Sequence, residues 1–141
     1  MYFRIEKNGI GPYRYHSFFP GEGMSLDLWM DNQHTKHQMP TPSQDSVLCK
    51  IYSFIEQVSK KFPKQILFAF NNPNDIETYF SEDELKKLKK LGFTINSYSE
   101  DSCFKVLHGE SQVVLFLSEE SYNSYLELIS ESSKSGFIPY F

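Results

Sequence analysis

Between Asp45 and Phe62 the chain repeats one pattern: Val47, Leu48, Ile51, Phe54, Ile55, Val58 and Phe62 stand three or four residues apart. Such spacing lines one side of an α-helix, so it predicts an amphipathic helix over 45–62 with a buried stripe. Ser43 or Asp45 is placed to cap its start, and Pro63 ends it. A short polar link then leads into ILFAF, residues 66–70. This unbroken apolar run of strand length suits a central strand buried on both faces. A helix and a strand of this kind need a common core, and 141 residues are enough to build one. Aromatic residues make up 16% of the chain and strengthen that core, since each ring buries roughly 150–250 Å².

The remaining elements follow from pattern and punctuation. YFRIE, residues 2–6, alternates as a strand, with Phe3 and Ile5 on one face and Arg4 and Glu6 on a polar face. Asn8-Gly9 and Gly11-Pro12 are turn signals of two kinds. From Ser17 to Ser43 there is no sustained period, yet Phe18, Phe19, Leu26, Leu28 and Trp29 are too apolar for disorder. That stretch is expected to be an ordered loop packed over the domain. A helical turn is expected around Asp75–Phe80. SEDE, residues 81–84, is a capping box opening a helix through Leu85, Leu88 and Leu91 to Gly92, with Lys86, Lys87, Lys89 and Lys90 on a solvated face. FTINSYS, CFKVLH and QVVLFL read as three strands in an antiparallel meander. Ser118 caps a last helix carrying Tyr122, Tyr125, Leu126 and Ile129. The apolar tail FIPYF is expected to dock on the body or on a second copy, and a homodimer is the favoured arrangement. The order implies a single α+β domain over 1–141, with a mixed or mainly antiparallel sheet and three to four helices packed on it.

Charge and composition narrow the function. A net charge of −4 speaks against a nucleic-acid partner held by phosphate neutralisation. Met1 is followed by an amphipathic strand rather than a secretory leader, and no apolar segment approaches the roughly 20 residues of a membrane span. A cytoplasmic protein is expected, with Cys49 and Cys103 as buried thiols. No nucleophile elbow, Walker loop, dinucleotide-binding glycine motif or zinc ribbon is present. No cofactor is expected.

Three stretches could carry chemistry. Arg4, Tyr13, Arg14, Tyr15 and His16 flank GIGP, where the glycines allow close approach of backbone to a ligand. Arginine supplies a fork for phosphate or carboxylate, and tyrosine a flat face for a base or ribose. This wall suits a nucleotide-like small molecule or a contact surface for another protein. His34 and His37, with Asp31 and Asp45 nearby, raise a metal site, but PTP at 40–42 makes the stretch extended, and a polar loop is expected. In HGESQVVLF, Glu110 and Gln112 fall on the same side of an expected strand, where Gln112 could reach a ribose hydroxyl.

The order of these motifs resembles a known family. YFRIEKNGIGPY, the stretch ending MPTPSQD, the strand FAF, LGFTINSY and the late G-x-x-Q-V-V-L-F are similar to a family of small bacteriophage and prophage proteins of unassigned function. The resemblance spans about residues 2–117 and implies an accessory protein acting on its host by binding. Sequestration of a nucleotide-derived defence signal, or inhibition of a host enzyme, would fit such a protein. GESQVVLF is also similar, more weakly, to the ADP-ribosyltransferase fold, which would imply an enzyme using NAD. There Gln112 stands where that fold has a catalytic Glu, and a neutral amide cannot stabilise an oxocarbenium ion by charge. Arg4, Tyr13, Arg14, His16 and Gln112 are therefore expected to bind a ligand, without catalysis.

Overall fold

The structure is a computed structural model and describes residues 1–12, 42 and 44–134. The expected loop over 17–43 and the aromatic tail lie outside these, apart from Pro42. The described chain is α+β, with helices and antiparallel strands. Its residues divide into two compact units, each discontinuous in sequence. One contains β1 (Tyr2–Glu6), α2 (Pro73–Tyr79), α3 (Glu82–Lys90) and most of β3 (Thr94–Tyr98). The other contains α1 (Tyr52–Lys61), β2 (Ile66–Ala69), β4 (Lys105–His108), β5 (Val113–Phe116) and α4 (Glu119–Lys134).

In the first unit β1 pairs with β3, and Phe3 forms an isolated antiparallel bridge with Phe70. Asn8 and Gly9 both have positive φ, at 54° and 77°, and Lys7 and Ile10 exchange both backbone hydrogen bonds across them. This is the two-residue hairpin turn that Asn-Gly favours. Helix α3 begins with the full capping box: Ser81 accepts from the Glu84 N–H at 3.2 Å, and Glu84 accepts from the Ser81 N–H at 2.8 Å. Gly92 ends it at φ +92°, with the Phe93 N–H returning to the Leu88 carbonyl and the Gly92 N–H to that of Lys89. These two bonds satisfy carbonyls the helix end leaves open. Ile5, Phe70, Ile76, Tyr79, Phe80, Leu88 and Phe93 form the core of this unit.

In the second unit β5 is the middle strand of three, antiparallel to both neighbours. Phe116 aligns with Ile66 on β2 and with Lys105 on β4. All four residues of β5 are fully buried, which matches its unbroken apolar sequence VVLF. Leu48, Ile51, Ile55, Val58, Tyr125 and Ile129 from the helical segments complete the core around Val114 and Phe116.

Four expectations about elements are corrected. Among the described residues ILFAF supplies an edge strand, because β5 is the strand with a partner on each side. The three late strands do not form a meander: β3 pairs with β1, and four of its five residues are exposed. The helix expected from Asp45 starts as a tight 3-10 turn, Leu48–Lys50, and turns α-helical only at Tyr52 after Ile51 leaves helical geometry. The cysteines are not both buried. Cys49 is exposed on that 3-10 turn, and Cys103 is part-exposed at the end of a second one, Glu100–Ser102. Burial is the largest influence on the Cys103 thiol and raises its pKa; Glu100 adds to this and a hydrogen bond from Ser102 opposes it.

Candidate functional site

Arg4 does not lie on an open polar face. It shares a face of β1 with Glu6, whose carboxylate takes the Arg4 Nε–H at 2.6 Å; the two side chains are only 13% and 5% exposed. The other carboxylate oxygen of Glu6 accepts from the Asn96 amide at 2.8 Å. The guanidinium also reaches the Gly9 carbonyl at 3.4 Å and lies over Gly11, where a Cβ would stand 3.3 Å from Nη2. A side chain at Gly11 would require this guanidinium to give by a few tenths of an ångström. Arg4, part-buried, and the buried Glu6 form a pair that fastens the strand to its hairpin turn. Tyr13, Arg14, Tyr15 and His16 lie outside the described residues, as do Asp31, His34 and His37. Among the described residues no three His, Cys, Asp or Glu side chains come together as metal ligands.

Gln112 belongs to the second unit. It precedes β5, with Glu110 exposed in the turn before it, so the two do not share a strand face. The Gln112 carbonyl accepts from the Gly109 N–H at 2.8 Å, closing the β4–β5 hairpin, and the residue is 3% exposed.

The turn of this hairpin is held by Asp45, which the sequence offered as a helix cap and as a neighbour of His34 and His37. Asp45 is fully buried. Its Oδ1 accepts from the backbone N–H groups of Val47, Leu48 and Glu110 at 2.9, 3.0 and 3.0 Å, and its Oδ2 from that of Ser111 at 2.7 Å. Burial alone would raise the pKa of this carboxyl, but the four N–H donors outweigh it and leave the value below the usual aspartate range. The Ser46 hydroxyl donates to the Glu110 carboxylate beside it. Gly109 lets the hairpin come this close, since a Cβ there would stand 2.6 Å from Leu48 Cγ. Capping was legible at Asp45; its grip on a turn 65 residues away was not.

Elsewhere in this unit an aromatic cluster reaches the surface. The ring centroid of Tyr122 lies 5.1 Å from that of Phe116 and 5.9 Å from that of Phe104, and Lys105 Nζ stands 5.9 Å from the Tyr122 centroid. Leu126 follows Tyr122 by one helical turn. Phe104 and Leu126 are 49% and 43% exposed, whereas Tyr125 and Ile129 face inward. Burial, reinforced by the neighbouring Tyr122, pushes the Tyr125 phenol up to about 12. A separate groove between α1 and α4 is lined by Lys61, Glu127 and Glu131 among others. No helix among the described residues is long and apolar enough to cross a membrane.

The sequence model of the family described as bacteriophage T4 Y00F protein matches residues 1–128, and the chain belongs to that family. The match covers every motif on which the resemblance to phage proteins rested and carries no link to ADP-ribosyltransferases. No curated protein and no solved structure matches the chain.

Proposed function

We propose that this phage-family protein acts by binding a host protein, without catalysis, through the face formed by Phe104, Lys105, Tyr122 and Leu126. The observation that carries this is the exposure of Phe104 and Leu126 beside a lysine, on a strand flank and a helix that pack firmly on a buried core. Aromatic and aliphatic anchors on rigid elements, next to a charge, are what protein recognition uses. An NAD-dependent reading would need Gln112 offered to a cofactor, and its burial disfavours that. Sequestration of a nucleotide is the second reading. It draws support from the Arg4 guanidinium seated over Gly11, at the start of the stretch leading to Tyr13, Arg14 and His16.

The test is to incubate the protein with host-cell extract, recover it natively and identify what accompanies it. A stoichiometric protein, lost on Phe104→Ser/Leu126→Ser with the melting temperature unchanged, is the expected result. An intact nucleotide released on denaturation would replace this reading with sequestration, and altered NAD would replace it with catalysis. Recovery of nothing would overturn all three.

A further inference from the structure

The face assigned to a partner carries one cation among its apolar groups. Lys105 is exposed, and its Nζ stands 5.9 Å from the centroid of Tyr122, whose ring lies 5.9 Å from that of Phe104. Leu126 follows Tyr122 by one helical turn, and Phe104 and Leu126 are both close to half exposed. Among the described residues no carboxylate forms an ion pair with Lys105, and the Tyr122 ring is what its ammonium meets. Four carboxylates stand near this face in sequence without pairing with it. Glu119 and Glu120 occupy the first turn of α4, where the helix dipole favours them, and Glu100 and Asp101 lie in the 3-10 turn before Phe104. All four are exposed.

We infer that the partner's docking segment presents a single carboxylate to Lys105, set between apolar side chains that cover Phe104 and Leu126, with lysine or arginine at its ends. The inference rests on the host-binding reading and adds the chemistry of the occupant. A segment that covers Phe104 and Leu126 also takes water from the ammonium beside them, and a desolvated charge is costly unless it is paired. The face of an aromatic ring offsets only part of that loss, so the anion has to come from the partner. One lysine offers a point charge rather than the donor fork that suits phosphate. The four neighbouring carboxylates repel a polyanion, which disfavours nucleic acid and phosphorylated segments and leaves a lone carboxylate. The same four groups attract cationic residues at the ends of the segment, where rim charges steer encounter and fix register.

A yeast-displayed library of random linear peptides tests this on the full chain. Peptides that bind wild type are retained only if they fail to bind Phe104→Ser/Leu126→Ser, so that each retained peptide uses this face. They are expected to carry Asp or Glu beside an aromatic or leucine residue, above its frequency in the library. Lys105→Met should weaken their binding about tenfold, and selection on Lys105→Glu should yield Lys or Arg in place of the acidic residue. Unchanged melting temperatures of the Lys105 variants separate charge recognition from folding. Retained peptides without the acidic enrichment, or binding undiminished by Lys105→Met, overturn the inference and leave the host-binding reading standing. If no peptide depends on Phe104 and Leu126, the face is not a recognition surface and both fall.

Discussion

Replacing Asp45 by alanine removes one buried acceptor and leaves four backbone N–H groups without it. Hydrogen bonds to a charged group are worth about 1.5–3 kcal/mol each, but the groups left behind do not all remain dry. Glu110 is exposed and Ser111 and Val47 are part-exposed, so their amides recover water once the turn loosens. Leu48 is only 1% exposed, and its N–H stays buried and unsatisfied at about 1–3 kcal/mol. With the space left by the carboxylate added, Asp45→Ala should cost about 3–4 kcal/mol. Asp45→Asn is milder. Its remaining oxygen can keep the three bonds made by Oδ1, and only the Ser111 N–H would meet an amide donor. A loss of about 1–2 kcal/mol is expected there.

Urea unfolding gives the energies, and amide exchange gives the location. The Asp45→Ala midpoint should fall by about 2 M at unchanged slope, and the Glu110 and Ser111 amides should lose protection. The acid limb is a second readout. Because the folded pKa of Asp45 is depressed, its contribution is complete above the unfolded value and is lost as pH falls through the folded one. Below about pH 4 wild type should therefore lose stability that Asp45→Asn does not have to lose. A cost under about 1 kcal/mol for Asp45→Ala, or equal costs for the two variants, would refute the account of the clasp.

Three further perturbations follow from the same structure. Gly109→Ala forces a Cβ to 2.6 Å from Leu48 Cγ and 2.8 Å from the Gln112 carbonyl oxygen, and should cost about 1–3 kcal/mol by urea unfolding. Arg4→Ala leaves the Glu6 carboxylate buried without its cation and should cost about 3 kcal/mol, with Arg4→Ala/Glu6→Gln recovering most of it. The Tyr125 phenol, pushed up to about 12, favours folding fully below the ordinary tyrosine value near 10; that stability is lost as pH rises through the folded value. Tyr125→Phe should flatten the alkaline limb of the unfolding curve.

Legibility in this sequence tracks the distance over which an interaction acts. The capping box at Ser81, the glycine stop at Gly92 and the Asn8-Gly9 turn depend on neighbours within a few residues, and all three form as the sequence implies. Strand pairing does not. Nothing local in TINSY distinguishes β1 from β4 as a partner, so contiguity suggested a meander where the chain pairs β3 with β1. The Asp45 clasp was hidden for the same reason, its turn partners lying 65 and 66 residues on. Arg4 is different, because Glu6 stands two residues away on the same strand face and the ion pair between them is local. The glycines beside it carry the ligand reading, whose other residues lie outside those described.

The displaced pKa values of three described residues bear on the pH dependence expected of the proposed binding role. A general acid or base works best when its pKa is drawn toward the operating pH, and active sites arrange burial and charge to do that. Here the displacements run the other way. Asp45 is pushed further below neutrality by the N–H groups that overcome its burial, while Cys103 and Tyr125 are pushed further above it, chiefly by burial. Each group is fixed in the protonation state it would hold in water at pH 7, and each serves its own surroundings: a clasp, a turn end, a core. Phe104, Lys105 and Leu126 remain exposed on elements that such groups help to hold in place. A surface of that kind can recognise a partner at constant charge, so capture through it should show no titration step from Asp45, Cys103 or Tyr125 near neutral pH. A step near pH 7 that disappears with Cys103→Ser would contradict that reasoning.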